Sequence, residues 1–282
     1  MTRRVLIAGC GDVGNALGRR LIEDGSEVWG VRRTVDALGP GIRPWRIDLT
    51  DRSSFDDPPA PFDTLFFTAS ADRRDEEAYR AIYVDALRDL LEHLRMSGCP
   101  LERVFFTSST AVYGQSAGEW VDETSATEPN GFNGAILLEA EALVDDAPEV
   151  GVNVRLSGIY GPGRLRLVRK VWSGEARATE GWTNRIHVED CGGVLHHLLK
   201  LDDPARLYLG SDDEPVTTKD VVTWMAAELG KPTPEPGDTT RLNKRCRNAR
   251  LRESGYVFTY PTFREGYRDI VTDFAKSERD EP

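Results

Sequence analysis

The chain has 282 residues, 47 acidic and 36 basic, for a net charge of −11, with 39% hydrophobic and 29% charged residues. That balance suits a folded chain of one large domain or one and a half and excludes a disordered one. The acidic surface repels nucleic acid and anionic membrane, so neither is an expected partner. The four cysteines, Cys10, Cys99, Cys191 and Cys246, are far apart and fit neither a disulfide framework nor a zinc site.

Val5-Leu6-Ile7-Ala8 is a short apolar run ending in glycine, which predicts a buried strand. It is too short for a signal peptide or a membrane span, so the expected location is the cytoplasm. A helix follows over Val13 to Asp24, with Val13, Leu17 and Leu21 on one face and Gly25 as the stop. Strands are expected at Glu27 to Val31, Pro44 to Ile47 and Thr64 to Thr68. A single helix over Glu76 to Met96 comes next, then a strand at Arg103 to Thr107, a helix over Phe132 to Val144 and a strand at Asn153 to Leu156. Strands alternating with helices of this size predict βαβ units and a parallel sheet. Beyond residue 160 the pattern loosens. Helices are expected over Leu165 to Trp172, Val188 to Leu201 and Val221 to Leu229, with a strand at Leu207 to Leu209. The proline-rich stretch from Pro232 to Gly237 is a loop, and the charged tail past Ala275 is expected to fray.

Gly9-Cys10-Gly11-Asp12-Val13-Gly14 matches G-x-G-x-x-G between the first strand and the first helix. Gly9 makes the tight turn, Gly11 lets a pyrophosphate approach the backbone, and Gly14 lets the helix pack close to the strand. The helix N-terminus, with Asp12 and Val13 in its first turn, then offers free N–H groups to the phosphates. Together with the flanking strands this predicts a dinucleotide-binding Rossmann unit. Such a unit places Asp or Glu about 20 residues further on when it holds the ribose 2′-OH of NAD. Here Arg32 and Arg33 stand at that place. An arginine fork pairs with a 2′-phosphate, so NADP is the expected cofactor and NAD the alternative; two solvated loop arginines are the competing reading. Asp48-Leu49 is expected on the adenine side.

With these landmarks the chain resembles the extended short-chain dehydrogenase/reductases, the clan of sugar-nucleotide epimerases and dehydratases. The residues carrying the resemblance are the glycine motif, Asp48-Leu49 and Phe67-Thr68-Ala69, then the run Thr107 to Gly114 (Thr-Ser-Ser-Thr-Ala-Val-Tyr-Gly). The runs Arg155 to Gly163 and Arg185 to Asp190 follow in order. The resemblance implies that Thr68 and Ala69 border the cofactor and that Ser109 polarises the substrate; the alternative for Ser109 is a hydroxyl capping local backbone. The family's catalytic Tyr-x-x-x-Lys is followed four residues later by a glutamate. Glu141 fits the glutamate, which puts Asn133 at the tyrosine and Leu137 at the lysine. Asn133 has no proton to exchange near neutral pH, and Leu137 has no charge to bind the nicotinamide ribose. A positioned acid or base contributes typically about 10²–10⁴-fold, so the ordinary route should not run. The chain therefore looks most like the atypical branch of the clan, and the stretch Asn243 to Pro261 is similar to the ends of such proteins.

Arg185 is an expected substrate contact by the same resemblance, and Arg245 is one through the basic cluster around it. His187 reads first as a satisfied core residue. The basic cluster from Arg241 to Arg252 reads as a solvated helix face, with a clamp on a phosphate-bearing substrate as the alternative. His196-His197 lack a third ligand, so no metal site is expected.

The fold expected is α/β: a doubly wound parallel-sheet Rossmann domain of residues 1–160 rejoined by about 187–210, and a smaller substrate-capping domain of 161–186 and 211–282. Two functions compete. One is an NADP-dependent oxidoreductase or epimerase-like enzyme in which Ser109 polarises a small-molecule substrate, nucleotide- or phosphate-bearing, and Tyr113 or a cap residue gives the proton. The other is a non-catalytic NADP-sensing or regulatory protein. The family implies a monomer or a homodimer built through the helices near 76–96 and 132–144.

Overall fold

The computed structural model describes residues 2–280 and divides into two compact units. The first comprises the chain up to Gly114, Ala126–Leu156 and Cys191–Tyr208; the second comprises Gln115–Ser125, Ser157–Asp190 and the chain from Leu209 onward.

The first unit is built on the seven-stranded sheet. In spatial order its strands are Leu207–Gly210, Val150–Leu156, Arg103–Ser109, Thr64–Phe67, Arg4–Ala8, Glu27–Val31 and Arg43–Trp45. The strands from Val150–Leu156 to Arg43–Trp45 pair in parallel. Strands such as Thr64–Phe67 are buried at every residue rather than at alternate ones, as a parallel sheet covered on both faces requires. The order runs outward in one direction from Arg4–Ala8 and in the other from Thr64–Phe67. The crevice at their carboxyl ends is therefore the topological switch point, where such sheets bind ligands. The helix Asp12–Glu23 buries Val13, Ala16, Leu17 and Leu21, the face its spacing predicts.

The expected single helix over 76–96 is interrupted. It runs as Glu76–Arg80, a π-helical turn Ala81–Asp85, and Ala86–Met96. The wider turn lets two faces of one helix serve two tasks. Ala78, Ala81 and Ile82 line the switch-point cleft, while Leu87, Leu90, Leu91 and Leu94 stay in the core.

The second unit has three two-stranded pairs: Gly158–Tyr160 with Arg185–His187, Trp182–Thr183 with Val216–Thr217, and Ala117–Val121 with Asn243–Cys246. The last pair corrects two expectations. Residues 115–125, expected in the nucleotide-binding domain, belong here because Ala117–Val121 finds its partner strand here. The basic cluster also lies not on one helix face but on the strand Asn243–Cys246 and the short helix Ala249–Glu253. The expected fraying past Ala275 is corrected as well, since a helix spans Phe263–Asp280. Thr262 opens it: its backbone N–H donates to Glu265 at 3.1 Å and its hydroxyl bonds the same carboxylate. Phe263, Tyr267, Ile270, Val271 and Phe274 then recur at helical spacing into the core of this unit.

Candidate cofactor cleft and altered catalytic helix

Each glycine of the motif does a different thing. Gly9 follows the first strand with φ +79°, and a Cβ there would lie 2.2 Å from the Ala69 Cα. The missing side chain is what lets the fourth strand's end close against the turn. Thr68 pins that contact by donating its hydroxyl to the Gly9 carbonyl at 3.1 Å. Gly14 sits 3.0 Å, measured from its would-be Cβ, from the Ile7 side chain and 3.1 Å from the Cys10 sulfur, so it sets the approach of helix to strand. Gly11 is the opposite case. It is the N-cap of the helix Asp12–Glu23, no side chain caps the helix there, and a Cβ would meet nothing nearer than the Gly9 carbonyl at 3.9 Å. No side chain caps this helix end and the space beside Gly11 is open, which suits an anion. Asp12 is exposed and Val13 buried beside it. Cys10 is fully buried, and burial pushes its thiol up to about 12 despite the opposing charge of Arg32, so the motif carries no reactive thiolate.

A cleft of about 530 Å³ opens here, bordered by Gly9, Gly11, Arg32, Arg33, Asp48, Leu49 and Ala69. These are residues the sequence expects at a dinucleotide; Asp12, Val13, Gly14 and Thr68, also expected there, do not line the cleft, though Thr68 bonds the Gly9 carbonyl and Gly14 packs against Ile7 and Cys10. Arg32 is half-buried and reaches the Ala37 carbonyl at 3.4 Å. Arg33 is exposed and pairs with Asp72 at 2.5 Å, which holds its guanidinium more firmly charged, with Asp48 adding to the effect. Burial works to raise the Asp48 carboxyl, but Thr50 donates to it from its backbone at 3.0 Å and its hydroxyl at 2.8 Å. Those bonds and the Arg33 charge hold the carboxyl below the usual range. Open space at a helix end without a side-chain cap, with two arginines at the end of the second strand, fits a dinucleotide.

The helix Phe132–Asp145 carries Asn133 and Leu137, the positions expected to stand where the family has tyrosine and lysine. Asn133 is half-buried and Leu137, one turn on, is buried. Glu141, one turn further, is buried in an interior network. Ser108 Oγ donates to Glu141 Oε1 at 2.5 Å, Arg155 Nε donates to the same oxygen at 2.9 Å, and Arg155 Nη2 donates to Oε2 at 2.6 Å. Arg155 Nη1 donates to the Tyr113 hydroxyl at 3.0 Å, with the guanidinium 5.0 Å from the ring centroid. Burial works to lower the Arg155 pKa, but Glu141 outweighs it and the net direction is up. Tyr113, the expected proton donor, is 2% exposed, and its hydroxyl accepts from Arg155. Ser109 is half-buried at the strand end. Its Oγ accepts the Ala111 N–H at 3.2 Å and opens the turn Thr110–Val112, which is the local capping role; the hydroxyl proton is left to donate.

An aromatic group near these residues was not legible in sequence. Tyr79 packs edge-on to Phe132 at 5.5 Å between centroids and against Tyr83 at 5.2 Å. The Tyr83 hydroxyl has the Ala71 backbone N–H facing it, and Ala71 lines the cleft. Burial, then Tyr79, raises the Tyr83 pKa. The π-helical turn that carries Tyr83 depends on packing, so helical periodicity alone gives no sign of it.

In the second unit, the expected substrate arginines are both engaged. Arg185 is buried, donates to Thr183 Oγ1 at 2.6 Å and bonds the Tyr267 side chain. Arg245 donates to the Gly118 carbonyl at 2.8 Å and lies between Trp120 at 4.7 Å and Trp182 at 4.9 Å. His187 is buried against Tyr160 and Tyr260, its Nδ1 accepts the Glu189 N–H at 3.2 Å, and burial lowers its pKa. Asp212 is 1% exposed, and neither carboxylate oxygen makes a full hydrogen bond. Burial pushes its pKa up to about 8, against the opposing charge of Arg185 and the nearby Glu214 N–H. His196 pairs with Asp24 at 2.6 Å, and no group of three or more metal-binding side chains occurs among the described residues.

Residues 5–208 match the profile of the NAD dependent epimerase/dehydratase family. The chain is 28% identical over 214 residues to Protein YeeZ of Escherichia coli strain K12, covering 73% of this chain and 76% of that one. Its fold is similar to the solved structure of a Methylobacillus flagellatus protein described as an NAD-dependent epimerase/dehydratase, with 35% identity, TM-score 0.83, 97% of this chain covered and 99% of that one. At 20% identity it shares its fold with a human epimerase family protein solved with NADPH, with TM-score 0.79, 96% of this chain covered and 99% of that one. Among the described residues no helix is long and apolar enough to cross a membrane.

Proposed function

Because the chain belongs to the NAD-dependent epimerase/dehydratase family, we propose that it is an NADP-dependent oxidoreductase or epimerase-like enzyme whose proton donor differs from the family's. Its substrate is a small molecule, nucleotide- or phosphate-bearing. The observation that carries the reading is the pair of arginines beside an uncapped helix N-terminus. The Gly11 end takes the pyrophosphate, Arg32 offers its fork to a 2′-phosphate, and Asp48 and Leu49 flank the adenine side. A bound dinucleotide supplies a nicotinamide that accepts and returns a hydride. The chain's own residues do the rest. Ser109 keeps its hydroxyl proton to hydrogen-bond a substrate oxygen. The proton comes from Tyr113, from a residue of the second unit, or from Tyr83, whose hydroxyl has the backbone N–H of the cleft residue Ala71 facing it. With its pKa raised by burial, the Tyr83 phenol is protonated near neutral pH and can give its proton to a strongly basic atom such as an alkoxide, and the phenolate left behind regains a proton from solvent. In that role Tyr83 serves as an acid during reduction, not as a base.

A non-catalytic NADP-sensing or regulatory protein is the second reading. Asn133, the buried Leu137 and the interior Tyr113 favour it, since the first two carry no acid and the third bonds Arg155. In either case we place the protein in the cytoplasm, as a monomer or as a homodimer paired through the helices near 76–96 and 132–145. Its second unit serves as the substrate cap. Calorimetry with NADPH and NADH tests the cofactor assignment. A charge-assisted contact of about 1.5–3 kcal/mol gives NADPH a preference of roughly 10- to 150-fold, and Arg32→Ala should erase most of it. An unchanged ratio overturns the assignment. Ligands that copurify, identified by mass spectrometry and returned with NADPH, separate the two readings. Turnover lost in Ser109→Ala supports the enzyme, and tight binding without turnover supports the sensor.

A further inference from the structure

We propose that Asp72 is an intramolecular stand-in for the 2′-phosphate of NADP: it holds Arg33 until a phosphorylated ribose displaces it, and so tunes how strongly the protein discriminates NADPH from NADH. The inference rests on the cofactor reading above. Arg33 Nη2 and Asp72 Oδ2 are 2.5 Å apart, and both residues line the cleft that holds Gly9, Gly11 and Arg32. Asp72 sits in a short span between two fixed ends. On one side Ala69 closes on Gly9, and Thr68 is bonded to the Gly9 carbonyl. On the other, Asp75 accepts the Ala78 N–H at 2.9 Å and caps the helix Glu76–Arg80. The Asp72 side chain is itself 68% exposed, so it can turn away from Arg33 without disturbing either anchor.

Arg33 has a second acidic neighbour, Asp48, but that carboxylate is held in place by both donors of Thr50. Asp72 is the partner that can leave. A phosphate brings a charge of about −1.5 to −2 and three acceptor oxygens, so it outcompetes a single carboxylate for one guanidinium. A neutral 2′-hydroxyl does not. NADPH therefore displaces Asp72 whereas NADH leaves the pair intact. The pair is well exposed, with 61% and 68% of the side-chain surfaces accessible, so the competition is modest and amounts to about two- to fivefold in affinity.

The test is titration of NADPH, NADH and 2′,5′-ADP into wild type, Asp72→Asn, Arg33→Ala, the double variant and Glu77→Gln. Glu77 is 89% exposed on the adjoining helix and pairs loosely with Arg73 at 3.8 Å, so it makes the same change of net charge without touching Arg33. Asp72→Asn should tighten NADPH and 2′,5′-ADP about two- to fivefold and leave NADH essentially unchanged. The gain should vanish in the Arg33→Ala background and be absent in Glu77→Gln. Equal tightening of NADPH and NADH, a gain that survives loss of Arg33, or the same gain from Glu77→Gln would overturn the proposal. So would no change at all. If NADPH is preferred and Arg32→Ala removes the preference while Asp72→Asn does nothing, Asp72 alone is wrongly assigned. If neither wild type nor Asp72→Asn prefers NADPH, the cofactor reading falls and this proposal falls with it.

Discussion

Three glycines of one motif should respond to substitution in three different ways. At Gly11 a side chain meets no atom nearer than 3.9 Å, but the backbone, at φ −86° and ψ −147°, lies outside the extended region that a β-branched residue prefers. Gly11→Val should therefore cost about 1–3 kcal/mol of stability without a steric clash. It should nonetheless lower NADPH affinity by at least about 100-fold, because the isopropyl group fills the space a pyrophosphate needs. At Gly9 the backbone has φ +79° and the new Cβ would overlap the Ala69 backbone at 2.2–2.5 Å. Gly9→Ala carries about 1–2 kcal/mol of left-handed backbone cost plus about 1–3 kcal/mol of overpacking, and should lose stability and binding together. At Gly14 the nearest neighbours are side-chain atoms at 3.0–3.3 Å. Gly14→Ala should fall between the other two. Thermal unfolding paired with NADPH calorimetry on each variant reads both quantities. Wild-type NADPH affinity in a folded Gly11→Val protein would refute the placement of the cradle, and a Gly9→Ala protein as stable as wild type would refute the packing argument.

Arg155→Leu leaves Glu141 buried without its charge partner and should cost about 3–5 kcal/mol, a fall in Tm of roughly 6–20 °C. Arg155→Leu with Glu141→Leu should recover much of that loss in the same unfolding assay, and additive losses would mean that the ion pair is not the cause. Asp212 predicts a pH dependence. Its folded pKa, about 8, lies above the ordinary value of 3.8, so between those pH values the folded chain binds the extra proton. The contribution of this group to stability is thus full below about pH 4, declines as pH rises towards 8, and is flat above that. Asp212→Asn should remove this decline and gain stability over wild type at pH 8 but not at pH 4, judged by urea unfolding; parallel pH profiles for the two proteins would exclude Asp212 as the source.

The alternation of strand and helix, the glycine turn and the arginines at the second strand's end were legible in the sequence because each is a local rule. Short apolar runs make buried parallel strands, positive φ selects glycine, and a chain position fixes which residue ends a strand. That Asn133 and Leu137 replace the family's tyrosine and lysine is what the resemblance implies, and the structure puts both on the helix Phe132–Asp145, one turn apart. What the local rules missed came from packing. The pairing of Ala117–Val121 with Asn243–Cys246 joins segments more than 100 residues apart, and neither strand carries a strong periodic signal of its own. The π-helical turn at Ala81–Asp85 and the helix Phe263–Asp280 are likewise settled by which faces must be buried. Side-chain roles were decided the same way. Tyr113, expected from the sequence as a proton donor, lies in the interior, where Arg155 brings Glu141 a countercharge and the tyrosine oxygen accepts another N–H of the same guanidinium. Sequence specifies which groups a chain possesses and which local conformations they favour. Whether a given hydroxyl meets solvent, a carboxylate or a guanidinium depends on contacts between distant segments, and only the folded chain decides those.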